Sequence, residues 1–102
     1  MTLGERQELF SGLYAKLILH IIESGYQVRL GDAFAIKRNP LEHKENSQHY
    51  LKQAGDVNLF KGGVWFKKTE DHAEFGAWWE KQHPLCRWGG RWGDGNHYEL
   101  RP

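Results

Sequence analysis

An alternating segment followed by a pair of glycines constrains the fold of this chain more than any other feature. In residues 55–60, Val57 and Leu59 alternate with Asp56 and Asn58. This period of two predicts a strand with an apolar side that faces a core and a polar side that faces outward. The Lys-Gly-Gly sequence that follows predicts a tight hairpin turn into a second strand, so we expect an antiparallel sheet.

Two helices and two further strands are predicted around this hairpin. Residues 3–24 carry apolar side chains at three- and four-residue steps behind a capping-box sequence, and 69–82 form a second helix with Thr69 as its N-cap. The segments 26–30 and 97–100 have the composition and alternation of short strands. This order predicts an α+β fold with a small antiparallel sheet, helices packed on one face and a functional site on the other.

The composition is that of one globular domain spanning residues 1–102. Hydrophobic residues make up 39% of the chain and aromatic residues 14%, which is enough to fill a single core. With a net charge of +1, the protein has no strong positive electrostatic potential to attract a polyanion, so we expect no nucleic-acid binding. The single cysteine, Cys86, excludes an intrachain disulfide. We expect the domain to be a monomer.

The amino-terminal sequence shows no sign of export. It has an early acid and no basic stretch, and the apolar run at 17–22 is interrupted by His20 and is too short for a bilayer. We therefore expect a soluble protein that is made in the cytoplasm without a signal peptide and without stable membrane association.

Three metal-capable side chains and one further carboxylate have the composition of a catalytic metal site, although their spacing alone could also arise by chance. His49 precedes Asp56, and Asp94 precedes His97 near the carboxyl terminus. Two imidazoles and one carboxylate form a three-ligand zinc site that leaves a fourth position for water, as in catalytic rather than structural zinc. His49, Asp56 and His97 are therefore the predicted Zn²⁺ ligands, on the open face of the sheet. Asp94 is placed to act as the general base, although Asp is also common in such glycine-rich turns.

Residues 47–56 and 88–98 together resemble a family of zinc peptidases, the D-Ala-D-Ala carboxypeptidases and L-alanyl-D-glutamate endopeptidases. The first segment, SQHYLKQAGD, is similar to the family signature Ser-x-His-x-x-Gly-x-Ala-x-Asp. The second, WGGRWGDGNHY, resembles the glycine-rich turn and Asp-x-x-His-aromatic ending of phage endolysins in this family. The resemblance covers nearly the whole chain, because the order of predicted helices and strands is also similar.

The resemblance implies roles for individual residues. His49, Asp56 and His97 carry over as zinc ligands, Asp94 carries over as the general base, and Ser47 matches a serine close to the bound ligand. The implied substrate is the peptide stem of bacterial peptidoglycan. The implied activity is cell wall hydrolysis after release of the protein from the cytoplasm.

The chain departs from the family at two positions. Lys52 stands where the signature has glycine. The family's arginine, which binds substrate and stabilises the developing oxyanion, corresponds to Ala35. Arg38 is the predicted substrate-binding replacement, and Lys37 and Arg29 are alternatives.

Two other functions are compatible with the sequence. A derivative without the arginine would keep zinc for folding or for binding a peptide or protein partner. A metal-dependent nuclease is suggested by Asn96 and His97, but the near-neutral charge and the lack of a basic stripe argue against it. The remaining histidines outside the first helix, His43, His72 and His83, are predicted to be exposed rather than ligating.

Overall fold

The computed structural model describes residues 1–31 and 51–102. In this part of the chain there are two α-helices, α1 (Leu3–Glu23) and α2 (Ala73–Gln82). Five strands form one sheet: β1 (Gln27–Leu30), β2 (Ala54–Lys61), β3 (Val64–Phe66), β4 (Cys86–Trp88) and β5 (His97–Leu100). Two short 3₁₀ helices, Thr69–His72 and Gly89–Trp92, precede α2 and follow β4. The α+β class with a small antiparallel sheet is confirmed.

Helix α1 begins and ends where its sequence predicts. The Thr2 hydroxyl accepts a hydrogen bond from the Glu5 amide at 3.1 Å, and the Glu5 carboxylate accepts one from the Thr2 amide at 2.8 Å, which confirms the capping box. The helix ends at Glu23, and Gly25 has a φ of +100° that favours glycine. Neither described helix combines the length and apolarity needed to cross a membrane.

Strand β2 organises the sheet, whose order is β1-β2-β5-β4 with β3 also paired to β2. Its first three residues pair with β5, and the part from Val57 to Phe60 pairs with β1. At its other end Lys61 pairs with Val64, so the turn is Gly62-Gly63, both at positive φ. All these pairs are antiparallel, and the predicted hairpin is confirmed.

The core lies between one face of the sheet and the two helices. Val57 and Leu59 are fully buried, whereas Asp56 and Asn58 on the opposite face are half-buried, so the predicted alternation is confirmed. The buried cluster joins side chains from α1, α2 and the sheet: Phe10, Leu13, Tyr14, Leu17, Ile21, Val57, Leu59, Phe75, Trp79, Cys86, Tyr98 and Leu100. This packing leaves the face that carries Asp56 free of helices α1 and α2.

Three predictions about the second half of the chain are wrong or incomplete. Thr69 is not the N-cap of α2, because its hydroxyl donates to the Gly93 carbonyl at 3.1 Å and α2 begins only at Ala73. His72 is buried rather than exposed, with Nδ1 2.8 Å from the Tyr98 hydroxyl oxygen. Strand β4 was not predicted, because three residues are too few to show a period.

Candidate metal centre

Asp56 is held in place through its backbone. Its carbonyl oxygen accepts hydrogen bonds from the Tyr14 hydroxyl at 3.1 Å and the Gly31 amide at 2.9 Å. The neighbouring Gly55 lies against the Tyr14 ring so closely that a Cβ there would be 2.5 Å from it. Only glycine permits this approach. The backbone at Asp56 is therefore constrained, and the Asp56 side chain projects from the face of the sheet opposite the core.

His97 lies directly across from Asp56 on the neighbouring strand. The two residues are partners in the β2–β5 register, and opposed residues of an antiparallel pair project from the same face. The His97 Nδ1 atom is 3.4 Å from Asp56 Oδ1, and the imidazole is almost fully buried. The predicted placement of these two side chains on one face is confirmed, while their role as zinc ligands stays a prediction.

Asp94 lies beside this pair in the loop before β5. Its carboxylate Oδ2 is 3.9 Å from His97 Nδ1, and the side chain is half exposed. The Asp94 amide donates to the Gly89 carbonyl at 2.9 Å, and the Asp94 carbonyl accepts from the His97 amide at 3.2 Å. Asp94 is therefore held at the edge of the site by its backbone, and its side chain is half exposed beside His97.

Trp88 anchors the loop that carries Asp94. Its indole N–H donates to the Gly95 carbonyl at 2.7 Å. The ring lies against Gly76 of α2 and against Gly90, where a Cβ would come within 2.1 and 2.2 Å of ring atoms. Glycine is thus required at positions 76 and 90 by the close approach of this indole, which packs between α2 and the glycine-rich loop.

Glu99 and Arg87 contact the other side of His97. The Glu99 Oε1 atom is 2.6 Å from His97 Nε2, and Arg87 Nε donates to Glu99 Oε2 at 3.0 Å. The Arg87 guanidinium also lies over the exposed ring of Trp92, whose centroid is 5.6 Å from that of the His97 ring. Sequence reasoning assigned no role to these residues. The one available signal was strand alternation, which places His97 and Glu99 on the same face.

The charges around His97 favour its protonated form in the metal-free protein. Burial alone would lower the pKa of His97, but the Asp56 and Glu99 carboxylates outweigh it and raise the pKa to about 9. Burial likewise opposes ionisation of Glu99, yet His97 and Arg87 hold the pKa of Glu99 below its usual range. A cation at this position is therefore stabilised by the surrounding carboxylates.

The spacing of Asp56 and His97 fits two ligands of a zinc ion. Two donor atoms each about 2.1 Å from a tetrahedral zinc lie about 3.4 Å apart. The separation of Asp56 Oδ1 and His97 Nδ1 is 3.4 Å, longer than an ordinary N–H···O hydrogen bond. Within residues 1–31 and 51–102, no three His, Cys, Asp or Glu side chains form a complete ligand group. The predicted third ligand, His49, lies outside those residues.

Several other predicted residues also lie outside the described part of the chain, namely Ser47, Arg38, Lys37, Ala35 and His43. Of the three cations considered for substrate binding, Arg29 is described. It pairs with Asn58 in the β1–β2 register, so it projects from the same face as Asp56. Its guanidinium lies over the Phe60 ring, 4.0 Å from the centroid.

Comparison of the sequence with models of known protein families finds no match, and a search of curated proteins finds none either.

Proposed function

We propose that this protein is a zinc-dependent peptidase that cleaves the peptide stems of bacterial peptidoglycan. The observation that carries the proposal is the opposed pair of Asp56 and His97, at zinc-ligand spacing, with the Asp94 carboxylate beside it. The substrate class comes from the resemblance of residues 47–56 and 88–98 to endolysin-type zinc peptidases.

The proposed zinc ligands are His49, Asp56 and His97. This donor set of two imidazoles and one carboxylate suits Zn²⁺ and leaves one coordination position for water. When bound, zinc would lower the pKa of a water molecule to about 7 and polarise the scissile carbonyl. The protein's own contribution is rigidity, since Tyr14 and Gly31 fix Asp56 and the sheet register fixes His97 against it.

Asp94 is the proposed general base. Its carboxylate lies close to His97 yet is half exposed, so it can receive a proton from the attacking water and give it to the leaving amine. Its loop is held by Trp88 and by backbone hydrogen bonds to Gly89 and His97, so the carboxylate stays near the metal position during both transfers.

The test is hydrolysis of purified peptidoglycan by the full chain with zinc present, measured as release of free amines. Asp94→Asn is the matched control, because it keeps the shape of the side chain but removes its basicity. We expect amine release by the unaltered protein and a rate lower by about 10²–10⁴-fold in the variant. Equal release by the two proteins, or none by either, contradicts the proposed activity.

A second candidate function is that of a zinc-binding module that binds a peptide or protein partner with little or no catalysis. It is favoured by Ala35, which stands at the position of the family's arginine. Without that cation the protein would bind zinc and a peptide but turn it over slowly, since the loss of one oxyanion donor costs about 10²–10³ in rate. Ala35→Arg separates the two functions. A large gain in amine release indicates a site that lacks its donor, whereas no change indicates that Arg38, Lys37 or Arg29 already supplies the charge.

A further inference from the structure

The two nitrogens of His97 face different partners. Nδ1 points toward Asp56 and Asp94, at 3.4 and 3.9 Å from their carboxylate oxygens. Nε2 points the opposite way, to Glu99 at 2.6 Å. We propose that Glu99, held by Arg87, is a positioning residue that keeps the proton on His97 Nε2 and so makes Nδ1 the metal-binding atom. This inference rests on the zinc site of the proposed function.

The contact with Glu99 determines which nitrogen can bind a metal. A neutral imidazole carries one proton, so one ring nitrogen donates a hydrogen bond and the other offers its lone pair. An ionised carboxylate can only accept, and at 2.6 Å from Nε2 it requires the proton to be there. The lone pair is then on Nδ1, the atom beside Asp56. Metal-binding histidines commonly donate their second N–H to a carboxylate in this way.

Arg87 keeps Glu99 from turning away from His97. Arg87 and Glu99 are partners in the β4–β5 register, and the guanidinium donates to Oε2 while Oε1 stays on His97. Glu99 is only 4% exposed, so water does not compete effectively for its oxygens. The Trp92 ring also contacts the Arg87 guanidinium, 5.1 Å from ring centroid to Cζ. The carboxylate therefore has one stable orientation, and so does the imidazole.

The first experiment tests the metal-binding atom without altering the chain. Protein labelled with ¹⁵N is loaded with ¹¹³Cd²⁺ as a zinc substitute, and couplings from cadmium to the His97 ring nitrogens are recorded by NMR. We expect coupling to Nδ1 and a proton retained on Nε2. Coupling to Nε2 would overturn the inference while leaving the zinc site in place.

The second experiment tests the role of Glu99 through metal affinity. Glu99→Gln removes the charge and keeps the shape, and Arg87→Lys keeps the charge but loses the two-pronged contact. Zinc Kd is measured by competition with a coloured chelator, after circular dichroism shows that each variant is folded. We expect Kd to rise by about 10–100-fold in Glu99→Gln and less in Arg87→Lys.

Glu80→Gln is the matched control. Glu80 also forms a two-pronged pair with an arginine, Arg91, and accepts from the Trp88 amide, but its partners do not include His97. We expect its zinc Kd to stay within about threefold of the unaltered protein.

The outcomes distinguish the inference from the function on which it rests. An unchanged zinc Kd in folded Glu99→Gln, or an equal rise in Glu80→Gln, overturns the positioning role alone. If Glu99→Gln does not fold, the cadmium coupling and the Arg87→Lys affinity decide the question. Failure of the unaltered protein to bind either metal would overturn the zinc site and this inference together.

Discussion

The Trp88 indole is packed against the bare Cα of Gly76, so that a methyl group there would lie 2.1 Å from a ring atom. The same indole donates to the Gly95 carbonyl and so holds the loop that presents Asp94. Helix α2 and the candidate site are therefore linked through one aromatic ring, and the packing of the helix bears directly on the position of the proposed base.

Gly76→Ala is expected to destabilise the protein. The added methyl must displace the Trp88 ring or the helix, and such overpacking costs about 1–3 kcal/mol. Gly12→Ala is the matched control, because Gly12 is also inside a helix but has nothing within 4 Å of a built Cβ. It should stabilise the protein by about 0.5–1 kcal/mol through helix propensity. Urea unfolding of both variants checks the prediction, and equal effects would contradict it.

The buried His72 should make stability depend on pH in a defined window. Burial lowers the pKa of His72 from 6.5 to about 4, so the unfolded chain takes up a proton before the folded protein does. The stabilising contribution is full above pH 6.5 and is lost as the pH falls toward 4. The total loss is about 3 kcal/mol, and it is measured by unfolding at a series of pH values.

A double variant isolates the His72 contribution. His72 and the Tyr98 hydroxyl are each other's partners at 2.8 Å, so His72→Phe with Tyr98→Phe removes both polar groups and leaves neither unpaired. The free energy of unfolding should decrease between pH 6.5 and 4 in both proteins. We expect the decrease to be smaller in the double variant, and the difference between the two decreases to be about 3 kcal/mol. If the free energy of unfolding changes with pH in the same way in both proteins, the pH dependence comes from groups other than His72.

The sequence was informative wherever a structural feature depended on neighbouring residues. The alternation of Val57 and Leu59 with Asp56 and Asn58 placed the strand, its core face and the open face. Since His97 was predicted to start a strand, its placement on the open face also followed. These features are local periods, which a single sequence displays directly.

The features that were missed depend on distant partners. His72 is buried against Tyr98, its hydrogen-bond partner, which is 26 residues away in the chain. The residues next to His72 in the sequence give no indication of this contact. Strand β4 exists because Cys86 and Trp88 pair with Leu100 and Tyr98. Such tertiary contacts override local preference, and a three-residue strand has no period of its own.

Lys52→Gly is expected to stabilise the protein. Lys52 has a φ of +58°, a left-handed conformation that is costly for a residue with a side chain. Relief of this strain, offset by the greater freedom of glycine in the unfolded chain, gives a backbone contribution of about 0.5 kcal/mol in favour of glycine. In contrast, Lys61→Gly in β2 should lower stability by about 0.5–1 kcal/mol. The free energy of unfolding of both variants is measured by urea denaturation. A lower value for Lys52→Gly than for the unaltered protein would contradict the prediction.

Zinc should stabilise the folded protein through Asp56. A ligand that binds only the folded state raises the free energy of unfolding by about 2.7 kcal/mol at a free concentration of 100 Kd. We expect this increment in the unaltered protein, its removal by a chelator, and its loss in Asp56→Asn. Thermal unfolding with and without zinc gives the increment for each variant separately, so any effect of the substitution on the metal-free protein cancels.

Asp71→Asn is the control for the zinc increment. The Asp71 carboxylate accepts a hydrogen bond from the Lys68 amide at 3.1 Å, and the neutral amide of Asn is a weaker acceptor, so the turn before α2 should weaken. The metal-free stability is therefore expected to fall while the increment from zinc stays the same. A full increment in Asp56→Asn would show that Asp56 is not a ligand, because a metal bound elsewhere would be insensitive to this carboxylate. An increment lost in both variants would point to a general effect of removing an acid.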